Sequence, residues 1–319
     1  MLFSSMLQPF TNSLFWKASV AFICHSCPAL YAKEKTMNNI IREQTIILND
    51  QFNFIKNTIN DHNDFKNLSQ ICSFKDEQKS LTFKTEKIHP KNIDEKTISI
   101  MLLFSNPHPS SVKAGMFLSE PHSQSFWKRI FECKHITATE EIDCAINNKW
   151  TNKTPDLLSE CLLSCSYESR FSLFFDCLES LPTNQYGDLI KLFPKKNGRA
   201  LRKQALQEPG FQNLIEISQQ NNIKSWIVFS AEAYRYLVGK KDIAKNAPNR
   251  ICSAIDDYLV KRDTIKFWDS LEDLKRTIQY EKKSITIYLS LIARRKNWKA
   301  ENGEKYFTVM LNQIFGHIS

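Results

Sequence analysis

Residues 97–131 read TISIMLLFSNPHPSSVKAGMFLSEPHSQSFWKRIF. The stretch opens on an uncharged apolar run, Ile98 to Phe104, interrupted only by Ser99. A run this short, rich in β-branched and aromatic residues, reads as a strand buried on both faces. It stops at Ser105-Asn106-Pro107-His108-Pro109, where two prolines in three residues remove the donors that ladder pairing needs. A polar loop containing Gly115 follows, then an amphipathic segment, Phe126 to Phe131. In open α/β sheets, ligands bind in the crevice beyond the carboxyl ends of the strands. A strand that ends abruptly in Asn, His and Ser is therefore a candidate site.

Three further runs repeat this pattern. Arg170 to Leu178 (RFSLFFDCL) ends at Leu181-Pro182-Thr183-Asn184, and Ser225 to Ser230 (SWIVFS) passes into Ala231-Glu232. Ser284 to Ser290 (SITIYLS) gives way to Leu291 through Lys299. Helical stretches separate the runs, which is the βαβ signature. The expected fold is α/β: three layers, with a central four-stranded parallel sheet flanked by helices. Parallel strands bring their carboxyl ends to one edge. Asn106 and His108, Thr183 and Asn184, Ser230 and Glu232, and Ser290 and Arg294 should therefore converge. A closing helix is expected over residues 306–318, with Phe307, Leu311, Ile314 and Ile318 forming one apolar stripe.

The remaining chain divides around this core. Residues 1–36 read as a targeting or non-native extension. Within them, residues 13–32 are apolar but broken by Lys17 and by Cys-His-Ser-Cys-Pro; a bilayer span needs about 20 predominantly apolar residues. Residues 37–84 are expected to be a helical appendage and linker, with isoleucines and phenylalanines at roughly helical spacing over 37–69, while the charge-dense stretch 75–96 reads as a linker or exposed loop before the first strand. Residues 85–319 form the main domain. Within it, Asn197-Gly198 reads as a turn in a basic stretch, and residues 267–280 read as a helix.

Composition narrows the function. Net charge is +9, from 43 Lys and Arg against 34 Asp and Glu, which suits a polyanionic partner. Only seven glycines are present and no Gly-rich phosphate loop, so dinucleotide and P-loop NTPase readings are poor. There is no Gly-x-Ser-x-Gly elbow for an esterase. The nine cysteines are odd in number and irregular in spacing, which argues against a disulfide framework and for a reduced, cytoplasmic chain. Cys24 and Cys27 lack a second pair to complete a four-ligand zinc site, and the seven histidines share no ligand spacing.

Ser105-Asn106-Pro107, followed by Glu120-Pro121 and Phe126-Trp127, resembles the uracil-DNA glycosylase superfamily. It looks most like the mismatch-specific and single-strand-selective branches, with their Gly-x-Asn-Pro loop and Gly-Pro-x-x-x-Phe-Trp segment. Trp226 to Leu237 (WIVFSAEAYRYL) is similar to the family's third-strand segment, and Tyr288 to Arg294 (YLSLIAR) falls where its second, DNA-inserting motif lies. Phe104 stands where the family has Gly, and Tyr288 and Leu289 where it has His or Asn and Pro. The resemblance implies that the domain hydrolyses the N-glycosidic bond of uracil or a related damaged base, without metal or cofactor. It also implies that Asn106 holds the attacking water.

Such an enzyme takes the base out of the stack and stabilises an oxocarbenium-like sugar. His108, Phe117, Phe126 and Ser230 are the candidate base pocket, with a phenylalanine ring to stack on the base. Ser110, Ser111, Lys195, Lys196, Ser290, Arg294, Arg295 and Trp298 are the candidate DNA contacts, the basic ones neutralising phosphate and Trp298 stacking. The expected partner is single-stranded or mismatched DNA, bound by a monomer with no membrane association. A non-catalytic nucleic-acid-binding protein on the same fold is the alternative, and a small-molecule enzyme using the same sheet edge is a third.

Overall fold

The computed structural model describes residues 33–36, 40–148, 150–238, 275–281, 283–290 and 301–318. The amino-terminal part builds a sheet of its own. Its strands are β1 (Lys33–Thr36) and β2 (Ile41–Ile47), then, after helices α1 (Phe52–Asp61) and α2 (Lys66–Ser69), β3 (Cys72–Lys75) and β4 (Ser80–Glu86). The order is β1-β2-β4-β3, antiparallel throughout. This corrects the expected helical appendage: of its apolar residues only those from Phe52 onward enter helices. Gln44 and Ile46 are buried along β2 and alternate with the half-buried Glu43, Thr45 and Ile47, the period of a strand, which pairs with β4. Ser80–Glu86, expected in a charged linker, is a buried strand.

The second sheet holds the candidate site. Its first strand is β5 (Ile98–Phe104). Helices α3 (Pro109–Ala114) and α4 (Gln124–Phe131), a short strand β6 (Ile136–Thr137), and helices α5 (Glu140–Asn147) and α6 (Thr154–Ser164) follow. Then come β7 (Glu168–Ser169), which pairs with β6, and β8 (Phe171–Cys177). Helices α7 (Tyr186–Leu192), α8 (Lys195–Arg202) and α9 (Glu208–Gln220) lead to β9 (Ser225–Val228) and α10 (Ala231–Val238). The described chain resumes with β10 (Lys275–Tyr280), β11 (Lys283–Leu289) and helix α11 (Glu301–His317).

The sheet runs β10-β11-β9-β5-β8. The four runs recognised in the sequence are β5, β8, β9 and β11, and they pair in parallel. The sheet nonetheless has five strands and is mixed, because β10 pairs antiparallel with β11. Residues 275–280 are thus a strand where a helix was expected; residues 267–274 lie outside the described residues. At the opposite edge, Ile88 forms an antiparallel bridge to Phe175 of β8, joining the two sheets.

Side-chain alternation sends the two faces of the sheet to different helices. Phe104, Phe171, Phe175 and Phe229 face α4 and α11, meeting Phe126, Trp127, Phe307 and Phe315. Trp226 points the other way, packing on Phe211 and donating its indole N–H to Ser218 Oγ, 2.9 Å away on α9. Both faces are thereby covered, which explains why these strands read as continuous apolar runs. Among the described residues no helix is long and apolar enough to cross a membrane; the apolar stretch 13–32 lies outside them.

Candidate functional site

The loops leaving the parallel strands are zipped together by backbone hydrogen bonds. Leu178 N donates to Phe104 O (3.0 Å), Glu179 N to Ser105 O (2.9 Å) and Thr183 N to Pro107 O (3.1 Å). On the other side of β5, Phe229 N donates to Leu103 O (2.8 Å), and beyond it Ser290 N donates to Val228 O (2.9 Å). Asn106, Thr183, Ser230 and Ser290 therefore lie along one edge, as the parallel arrangement requires. From β5 the chain crosses to β8 on one side, then returns past it to β9 on the other. The gap between β5 and β9 is thus the topological switch point, where doubly wound sheets place their ligands. Asn106 and Ser230 flank it, above the Phe104 and Phe229 rings, whose centroids are 5.1 Å apart.

Asn106 is half-buried and its carboxamide is tied at both ends. Nδ2 donates to Thr183 Oγ1 (2.9 Å), Pro107 O (3.0 Å) and Thr183 O (3.4 Å). Oδ1 accepts from the Ser105 hydroxyl (3.0 Å). His108 precedes α3 and caps it, its Nδ1 accepting from Ser110 N at 3.3 Å. Glu120 Oε1 lies 3.6 Å from the same nitrogen. An ion pair there would need Nδ1 protonated, and the shorter contact to a backbone donor makes the cap the better description. Ser230 caps α10: Oγ accepts from Ala233 N and donates to Glu232 Oε2, both at 3.2 Å.

The other candidates divide. Phe117 and Phe126 are each only 3% exposed and belong to the aromatic core, where they touch Phe104, Phe175, Phe229 and Phe307. They hold up the site from below and present no ring to a base. Phe104, in the same cluster, stays half-buried at the edge. Ser111 is buried on the inner side of α3 and Ser290 is fully buried, so neither reaches a phosphate; Ser110 is half-buried. Ser290 Oγ has no hydrogen-bond partner among the described residues. Lys195 and Lys196 are exposed at the start of α8. The expected turn at Asn197-Gly198 is instead inside that helix. Arg294, Arg295 and Trp298 lie outside the described residues.

Two polar networks escaped the sequence reading. At the end of β8, fully buried Glu179 accepts two hydrogen bonds from the Arg202 guanidinium, both 2.6 Å, and one from Gln207 Nε2, 3.0 Å. Arg202 also donates to the Tyr186 hydroxyl and lies 4.7 Å from that ring's centroid. Burial and the Glu179 charge push the Tyr186 phenol up, while burial opposes the Arg202 charge and Glu179 more than restores it. Further along the same face, Asp176 takes hydrogen bonds from His89 Nε2 (3.1 Å), Asn213 Nδ2 (3.4 Å) and Cys177 N (2.7 Å). Burial works to raise this carboxyl, but Lys87, His89 and the Cys177 N–H outweigh it and hold it low. The available signal was the presence of Asp176 and Glu179 in and just after a run otherwise apolar; acids are almost never fully buried unless paired.

The Cys161 thiol is pushed up to about 12 by burial with Cys165 nearby. Burial also raises Cys177 well above the ordinary thiol value. Neither is a nucleophile at neutral pH. Among the described residues, no three His, Cys, Asp or Glu side chains come together as a metal site. No protein-family model matches the chain, and no curated protein matches it in sequence.

Proposed function

We propose that this protein is a DNA glycosylase of the uracil type, acting at the switch point with Asn106 as the catalytic residue. The observation that supports this most is the position and state of Asn106. It lies two residues beyond the end of β5, one of the two strands that border the switch point, and is half-buried, with its amide nitrogen turned into the protein and a lone pair left on Oδ1. A carboxamide is not a base. It serves a reaction in which the bond from the sugar C1′ to the base breaks early, the electron pair leaving with the base. Water then adds its oxygen to C1′ and releases a proton to solvent. Asn106 Oδ1 holds that water, and Phe104, half-exposed at the edge, offers the stacking ring that buried Phe117 and Phe126 do not. Lys195 and Lys196 bring positive charge for phosphates.

The test is release of uracil from a single-stranded oligonucleotide, read as alkali-labile abasic sites. The chain should produce them, and Asn106→Ala should abolish them; undiminished release by that variant removes Asn106 from the role. A second reading, a nucleic-acid-binding protein without catalysis, is favoured by one observation: Phe117 and Phe126, the aromatic candidates for the base pocket, are locked in the core. It predicts a gel shift with DNA and no abasic sites from the unsubstituted chain.

A further inference from the structure

We propose that Thr183 is a positioning residue for Asn106, its hydroxyl deciding which end of the carboxamide meets the attacking water. The inference rests on the glycosylase reading. Thr183 is 2% exposed and belongs to the loop after β8, far from Asn106 in sequence. Its backbone N–H is held by Pro107 O at 3.1 Å. A hydroxyl has a single hydrogen, and that of Thr183 is directed at Gln185 O, 2.8 Å away. Toward Asn106 its oxygen can therefore only accept, and it does so from Nδ2 at 2.9 Å. Turning the amide round would set Oδ1 against three acceptors: Thr183 Oγ1, Thr183 O and Pro107 O. Unpaired acceptors facing one another away from solvent are costly.

The polarity of this chain has a chemical consequence. With Nδ2 committed to Thr183, Oδ1 is the end that receives hydrogen bonds, one from Ser105 and one from a further donor. A water donating to Oδ1 keeps its own lone pair for C1′. A reversed amide would donate N–H to that water, engaging one of its two lone pairs and making its oxygen a poorer nucleophile. Thr183 thus acts on the reaction through Asn106 without touching substrate.

Thr183→Val keeps the shape and removes the hydroxyl; Thr183→Ser keeps the hydroxyl. On uracil-containing oligonucleotide, the valine variant should lose roughly 10- to 100-fold in kcat, the scale of a misplaced reacting group, with KM unchanged. The serine variant should recover most of that loss. In amide NMR spectra, the Asn106 side-chain NH2 should exchange slowly in the parent and serine variant and quickly in the valine variant. Valine-variant turnover equal to the parent's overturns the proposal. So does an equal loss in both variants tracking a fall in Tm, since that is what a merely structural threonine would give. Absence of uracil release by the parent overturns the glycosylase reading itself, and the role of Thr183 falls with it.

Discussion

Glu86, at the end of β4, and Asp176, on β8, are two buried carboxyls whose surroundings drive them in opposite directions. Asp176 has three hydrogen-bond donors and the Lys87 charge, and stays ionised. Glu86 is 1% exposed, Oε2 has no hydrogen-bond partner among the described residues, and burial raises it well above the ordinary glutamate value. Because the folded state favours its protonated form, Glu86 contributes stability fully below the unfolded value of about 4.3. That contribution is lost as pH rises through the folded value. Replacing Glu86 with Met, similar in length and without polar atoms, should therefore stabilise the protein at pH 8 by about 1–3 kcal/mol. The advantage should shrink toward pH 4. Chemical denaturation at the two pH values checks this, and a constant difference would show that Glu86 is not the titrating group. None of this was legible from Glu86 itself, which sits in a stretch read as a charged loop. Asn106 was legible, because the residues on either side of it state where the strand ends.

At the scale of elements, the join between α9 and β8 is made by close backbone approach. A Cβ on Gly210 would lie 1.8 Å from Leu178 O, and one on Gly198 would lie 2.6 Å from the Phe193 carbonyl carbon. Both glycines lie in helices, where alanine would otherwise be favoured by about 1 kcal/mol. Gly210→Ala should reverse that preference and cost about 1–3 kcal/mol, the range for forced overpacking, measured as a lowered denaturation midpoint. A neutral or stabilising result would mean that α9 does not seat on the end of β8. A separate close approach, of Gly198 in α8 to the backbone of Phe193 at the end of α7, explains why Asn197-Gly198 is helical and not the expected turn: the glycine makes room for that backbone, a reason invisible to local turn rules. The misreading of residues 40–47 has a similar origin. Short isoleucine-rich segments satisfy both the helical and the alternating period, and pairing with β4 chooses between them.

Over the whole molecule, the net charge is +9. The Arg202–Glu179 pair is buried and internally neutral, so it adds nothing to long-range attraction. Exposed Lys195 and Lys196 on α8 do. If they contact phosphates, replacing both with alanine should weaken DNA binding at low salt. It should also flatten the slope of log affinity against log salt by roughly 1.4–1.8, since each phosphate contact contributes about 0.7 on single strands and 0.9 on duplex. Titrations at several salt concentrations measure this, and an unchanged slope would place the DNA elsewhere. By itself the sequence determined a mixed α/β fold, the four buried strands β5, β8, β9 and β11, the closing helix and the loop carrying Asn106, because apolar runs broken by proline and polar residues are local facts. Tertiary structure alone decided that β10 adds an antiparallel edge, that Phe117 and Phe126 support the site from the core, and that the Thr183 hydroxyl accepts from Asn106 Nδ2. Those outcomes depend on which surfaces meet across long sequence separations, and hydrogen-bond direction and ring packing exist only after they have met.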